Sequence, residues 1–99
     1  MAAKDALYEA AQAEWRERQW AYVQKVELHI ARHREVIANL ESLRADLMNR
    51  QRNVMPGRRE LELIQHYDGR IREIEAAIAQ RHGWLDEDVG KLRDARSRL

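Results

Sequence analysis

At 99 residues, with 35% charged side chains, four glycines, one proline and no phenylalanine, the chain supports one domain at most and suits long exposed helices better than a rounded globule. A formal net charge of +1 argues against nonspecific nucleic-acid binding by the chain as a whole, and the absence of cysteine excludes disulfides and thiolate metal sites. No apolar run approaches the ~18 residues of a membrane span, and the lead Met1-Ala2-Ala3-Lys4-Asp5 opens no signal-peptide core.

From about 4 to 53 the chain reads as a first helix. Steps of three and four follow one stripe through Tyr8, Gln12, Trp15, Gln19, Tyr22, Val26, His29, His33, Val36, Leu40, Leu43, Leu47 and Arg50. A second line, Trp20, Val23, Ile30 and Ile37, flanks it. Val23, Ile30 and Ile37 read as widening the buried stripe. Trp20 falls well off the seam at ~100° per residue and is a candidate partner contact.

A turn is expected over about 54–57, where Pro56-Gly57 holds the only proline. Proline disfavours helix in the preceding Met55 and can open a new helix itself. From about 58 to 99 a second helix is expected, because Ile64, Ile71, Ile78, Leu85, Leu92 and Leu99 recur every seven positions, with Tyr67 and Ile74 interleaved. Arg81, Asp88 and Gln19 interrupt the apolar seam. The fold class is therefore all-α, two long helices forming an antiparallel coiled-coil hairpin, with 1–99 as a single unit. A fold-back at the turn pairs Leu47 with Ile64, Leu40 with Ile71, His33 with Ile78 and Val26 with Leu85; Leu43 with Tyr67 and Val36 with Ile74 follow one step off. This register also leaves the first residues of the outgoing helix, Leu7 and Tyr8 among them, without intramolecular cover.

Several features exceed what a bare hairpin needs. Trp84 lies off the seam like Trp20, and each either touches a partner or lies across Lys and Arg stems. Gly69, Ala76, Gly83, Gly90 and Ser97 form a small-residue line at the outermost heptad position, read either as a close-approach surface or as drift at an exposed site. Around the turn, Arg44, Arg50, Arg52, Arg58 and Arg59 stand against Asp46, a basic tip read as a solvated face or as a contact for an acidic partner. The tip carries no aromatic residue, so base stacking has no support. No phosphate loop, nucleophile elbow or calcium loop is present, and a two-helix hairpin offers no cleft for paired carboxylates; neither catalytic nor cofactor-binding residues are expected. His29 and His33 stand four apart, a spacing open to one metal ion, but zinc wants further ligands and polar seam residues more often set register; no metal site is expected.

From Tyr67 the chain reads Tyr67-x3-Ile71-x2-Ile74-Glu75-x-Ala77-Ile78-x-Gln80, a short distance after Met55-Pro56-Gly57. This order resembles the FliJ/YscO family of bacterial type III export systems, flagellar and injectisome. The similarity covers roughly 36–92, with Val36, Leu40, Leu43 and Leu47 falling on the apolar face of that family's outgoing helix. The resemblance implies a non-enzymatic stalk or coupling protein, cytoplasmic and peripheral at a membrane export apparatus. Its implied partners are an export ATPase ring, a membrane export gate and export chaperones, and its implied gate-contact positions are Val36, Leu40, Leu43, Leu47, Arg70, Ile74, Ala77 and Arg81. Where the family carries aromatic residues this chain has Leu43, Leu47 and Arg70, and its returning helix is shorter. The residues by themselves also fit a coiled-coil assembly or scaffold module that packs on a partner helix or forms a homo-oligomer.

Overall fold

A computed structural model describes residues 2–99, with side chains from Lys4 onward; Met1, the start of the N-terminal lead and of the expected 1–99 unit, lies outside the described residues. The chain is all-α: helix α1 spans Ala2–Arg52 and helix α2 spans Glu60–Ser97, paired as an antiparallel coiled-coil hairpin with no strand among the described residues. Both helices carry charges that suit their dipoles, Glu60 and Glu62 in the first turn of α2 and Arg50 and Arg52 in the last turn of α1. Two compact units emerge, one of Arg32–Leu85 and one of Met1–Ala31 with Asp86–Leu99.

In the unit Arg32–Leu85 the helices are joined over 53–59, a longer connection than the 54–57 turn expected. The α1 end is closed by the Asn53 amide, which donates to the Asn49 and Arg50 carbonyls at 3.2 Å each, and by the Asn53 side chain, which donates to the Asn49 carbonyl at 2.9 Å. These bonds satisfy carbonyls that the last helical turn leaves open. Pro56 then bars a helical conformation at Met55, and α2 starts four residues after the proline, with the Glu60 amide donating to the Gly57 carbonyl at 3.2 Å.

The core of this unit is Ile37, Leu47, Ile71, Ile74 and Ile78, with Leu40, Tyr67 and Leu85 packed against it. Less exposed positions on α1 follow one another as His33, Ile37, Leu40, Arg44, Leu47 and Gln51, with Val36 beside Ile37, and those on α2 as Ile64, Tyr67, Ile71, Ile74, Ile78, Arg81 and Leu85, with Ala77 beside Ile78. Apart from Val36 and Ala77, the spacing alternates threes and fours, the a and d positions of a heptad. On α1, a is held by Ile37, Arg44 and Gln51 and d by His33, Leu40 and Leu47. On α2, a is Ile64, Ile71, Ile78 and Leu85, and d is Tyr67, Ile74 and Arg81.

Two sequence expectations are corrected here. Leu43, expected on the seam line, is 43% exposed, whereas Arg44 beside it is half-buried; one turn earlier Ile37 is buried and Val36 half-buried. Because α1 carries apolar side chains at both 36 and 37, steps of three and of four from Leu40 both land on one, and only burial separates them. The pairing is also displaced. Gln51, expected level with Glu60, reaches the Ile64 carbonyl and Asp68. His33, expected against Ile78, reaches Arg81 and Trp84. These contacts join residues three to eight positions further along α2 than the fold-back expected.

In the unit of Met1–Ala31 and Asp86–Leu99 the core is Val23, Val26, Ile30 and Ala95, with Val23 fully buried. Val23 and Ile30 of the flanking line are thus in the seam, at its a positions, while Tyr22 and His29 are exposed. Leu92 and Asp88 are half-buried on the α2 side, and Asp88 is met by Lys91 Nζ at 3.8 Å. Across this unit Arg96 donates to Glu27 at 2.6 Å. Leu7 and Tyr8, for which no cover was expected, are exposed.

Candidate protein-interaction face

The ten positions singled out for partner contact divide sharply once heptad positions are assigned. In the unit Arg32–Leu85, Leu40, Leu47, Ile74 and Arg81 are at d, while Val36, Leu43, Arg70, Ala77 and Trp84 are at g. Position g lies about 60° round a helix from d, and in an antiparallel pair the g positions of both helices flank the same side of the seam. Nine of the ten positions therefore share one side of this unit. They do not offer equal surface. Leu47 and Ile74 are buried in the core, and Val36, Leu40, Ala77 and Arg81 are half-buried. The surface available to a partner comes from Leu43, Arg70 and Trp84, edged by Val36 and Ala77.

Leu63, one heptad before Arg70, stands at g as well and is 37% exposed. Sequence reasoning passed it over because it sits beside Ile64, which took the heptad line; its distance of seven from Arg70 is the signal that would have found it. The strip's α2 side, Leu63, Arg70, Ala77 and Trp84, is broken once by the Arg70 guanidinium, and its α1 side, Val36 and Leu43, ends at Arg50.

At the Trp84 end the strip meets a polar cluster. The Arg81 guanidinium carbon lies 5.0 Å from the Trp84 ring centroid, within the range of cation–π attraction. Arg81 Nη1 is 3.3 Å from His33 Nδ1, and the His33 and Trp84 rings are tilted at 6.2 Å between centroids. Trp84 thus lies across an arginine head and still presents 42% of its surface. Trp20 belongs to the other unit, at an e position, and is 57% exposed with no ring contact among the described residues.

The basic tip is partly neutralised. Arg50 pairs with Asp46 at 3.1 Å and Arg59 with Glu62 at 3.4 Å, while Arg44 is half-buried at its a position. Arg52 and Arg58 remain exposed. At the small-residue line, Cβ atoms added to Gly69, Gly83 and Gly90 would meet nothing within 4 Å.

In the other unit a shallow groove of about 460 Å³ is lined by Tyr8, Ala11, Gln12, Trp15 and Arg16 of α1 with Arg98 and Leu99. Among the described residues no group of three His, Asp or Glu side chains is placed to hold a metal ion, and His29 stands exposed outside the seam. No helix among them is long and apolar enough to cross a membrane. No family model matches the chain, and no curated protein or solved structure matches it either.

Proposed function

We propose that the chain is a non-enzymatic coiled-coil stalk or coupling protein of a bacterial type III export ATPase, working at the cytoplasmic side of the export apparatus and contacting the ATPase ring, the export gate and export chaperones. The reading rests on the resemblance to the FliJ/YscO family over residues 36–92. The observation that supports it best is the one-sided strip: positions aligned with that family's gate contacts occupy d and g on the same side of the unit Arg32–Leu85, with Leu43, Arg70 and Trp84 exposed. A coupling element needs a stiff axis and a lateral contact surface, and a heptad seam with an apolar flank supplies both. The test is co-purification of the tagged chain with the export ATPase and the gate protein of its source organism, alongside Leu43→Asp/Trp84→Asp. Retention of both partners, with the gate protein lost on the double substitution, is expected. Capture of neither partner removes the proposal.

The same exposed strip favours a second reading, a coiled-coil assembly module that packs on a further helix or on its own copy. Sedimentation across a wide concentration range separates the two. Strict monomers at the highest concentration argue against self-assembly.

A further inference from the structure

In the unit of Met1–Ala31 and Asp86–Leu99, three aromatic residues read as part of the seam stripe stand outside it. Tyr8, Trp15 and Tyr22 fall at successive g positions, in phase with the a positions of Val23 and Ile30, and are 66%, 45% and 43% exposed. Seven residues make almost two helical turns, so the three rings share one stripe about 21 Å long. The groove of about 460 Å³ opens on this stripe, with Tyr8 and Trp15 supplied by α1 and Arg98 standing just past the end of α2.

The polar groups of the groove are almost all donors. Arg16 and Arg98 are exposed, and among the described residues neither guanidinium has a carboxylate partner. Guanidinium groups accept no hydrogen bond, and the Trp15 indole N–H only donates. The Tyr8 hydroxyl accepts from Gln12 Nε2 at 2.8 Å, which leaves its own O–H to donate. No side chain lining the groove is a carboxylate, and Glu14 beside it is held by Arg18 at 2.7 Å. Such a surface complements negatively charged acceptors set beside apolar groups.

We propose that this groove docks an acidic amphipathic helix of another protein, with aspartate or glutamate carboxylates on Arg16 and Arg98 and apolar side chains along Tyr8, Trp15 and Tyr22. A stripe repeating every seven residues matches the anchor spacing of a helix laid alongside it, and it outruns a compact ligand confined to the groove. Trp, Tyr and Arg are also the residues that dominate binding energy at protein interfaces. Charge disfavours a second copy as the occupant. The g positions of this unit, Tyr8, Trp15, Tyr22, His29, Lys91 and Arg98, include no carboxylate, so two copies joined through this side would set basic groups against basic groups. The site lies outside residues 36–92 and does not rest on the export reading.

The probe is a displayed library of three-heptad helices with a fixed leucine stripe and flanking positions varied among Glu, Gln and Lys, selected on the full chain. Glu should be enriched over Gln and Lys. By fluorescence anisotropy, a selected peptide should lose at least about tenfold in affinity on Trp15→Ala and on Arg16→Ser/Arg98→Ser. Trp20→Ala, on the opposite flank, should leave affinity unchanged. Arg16→Glu/Arg98→Glu should turn the selection from Glu to Lys, a reversal that loss of structure cannot produce. An empty selection, or one without preference for Glu, overturns the proposal, as does binding that survives the groove substitutions. So does a chain that sediments as a dimer and becomes monomeric on Trp15→Ala, since its own copy would then be the occupant.

Discussion

Gln51 and Ile64 are joined across the helices by a side-chain amide donating to a backbone carbonyl at 3.1 Å, beside a 2.6 Å contact from the same nitrogen to Asp68. A backbone carbonyl inside a helix already has its partner four residues on, so this bond is a second one and reports position rather than necessity. Gln51→Ala should cost about 0.5–1.5 kcal/mol, the usual net worth of one such bond, whereas Gln51→Leu should be neutral or stabilising because it places an aliphatic side chain at a half-buried a position. Urea unfolding of the two variants checks this. Equal destabilisation by both would mean that Gln51 acts through shape alone.

Neighbouring residues on α1 should respond very differently to truncation. Ile37 is buried among Leu47, Ile71, Ile74 and Ile78, and Ile37→Ala should cost about 2–5 kcal/mol. Leu43, on the exposed flank, should lose no more than about 1 kcal/mol as Leu43→Ala. A hairpin with so narrow a core has little reserve, so the first variant should show a markedly lower unfolding midpoint and the second an almost unchanged one. The reverse order would return Leu43 to the seam.

Much of the architecture was legible because it rests on repetition. The line Ile64, Ile71, Ile78 and Leu85 marks the a positions of α2 in the structure as it does in the sequence, and Tyr67, Ile74 and Arg81 fall at d as their spacing required. The α1 seam was only half legible. Leu40 and Leu47 were placed correctly, but alternate seam positions were given to Val36 and Leu43 when Ile37 and Arg44 hold them, since Arg44 is a polar residue that periodicity alone counts against. Turn length was not legible either, because it depends on how far Pro56 and the Asn53 cap hold the chain out of helix, which spacing does not encode. The partner face shows the same division: its residues could be named from the sequence, but the exposure of Leu43, Arg70 and Trp84 and the burial of Leu47 and Ile74 required the register.

The Arg96–Glu27 pair is short at 2.6 Å, but its side chains keep 59% and 44% of their surface. Solvent screening at such a site leaves little net attraction, and a double-mutant cycle with Glu27→Ala and Arg96→Ala should give a coupling below about 1 kcal/mol. That coupling should shrink further as salt rises from ~0.1 to ~1 M, where the screening length falls to about 3 Å. A larger, salt-insensitive coupling would show that the pair is more sheltered than its exposure indicates.

The glycines of α2 offer the cleanest separation of folding from contact. Gly69, Gly83 and Gly90 lie within a continuous helix, and a methyl group at any of them would meet no atom within 4 Å. Each Gly→Ala change should therefore stabilise the helix by up to about 1 kcal/mol through backbone entropy and propensity alone. The three sites are seven or more residues apart on one helix and share no partner, so their effects should add, raising stability by about 2–3 kcal/mol in the triple variant. Thermal unfolding measures the gain. If the line is a surface that another helix approaches closely, the same triple variant should be more stable and yet bind its partner more weakly. If the line is drift at an exposed position, stability should rise with binding unchanged. A triple variant that gains nothing would mean that the outer face of α2 is covered, since open space leaves no other opposing term.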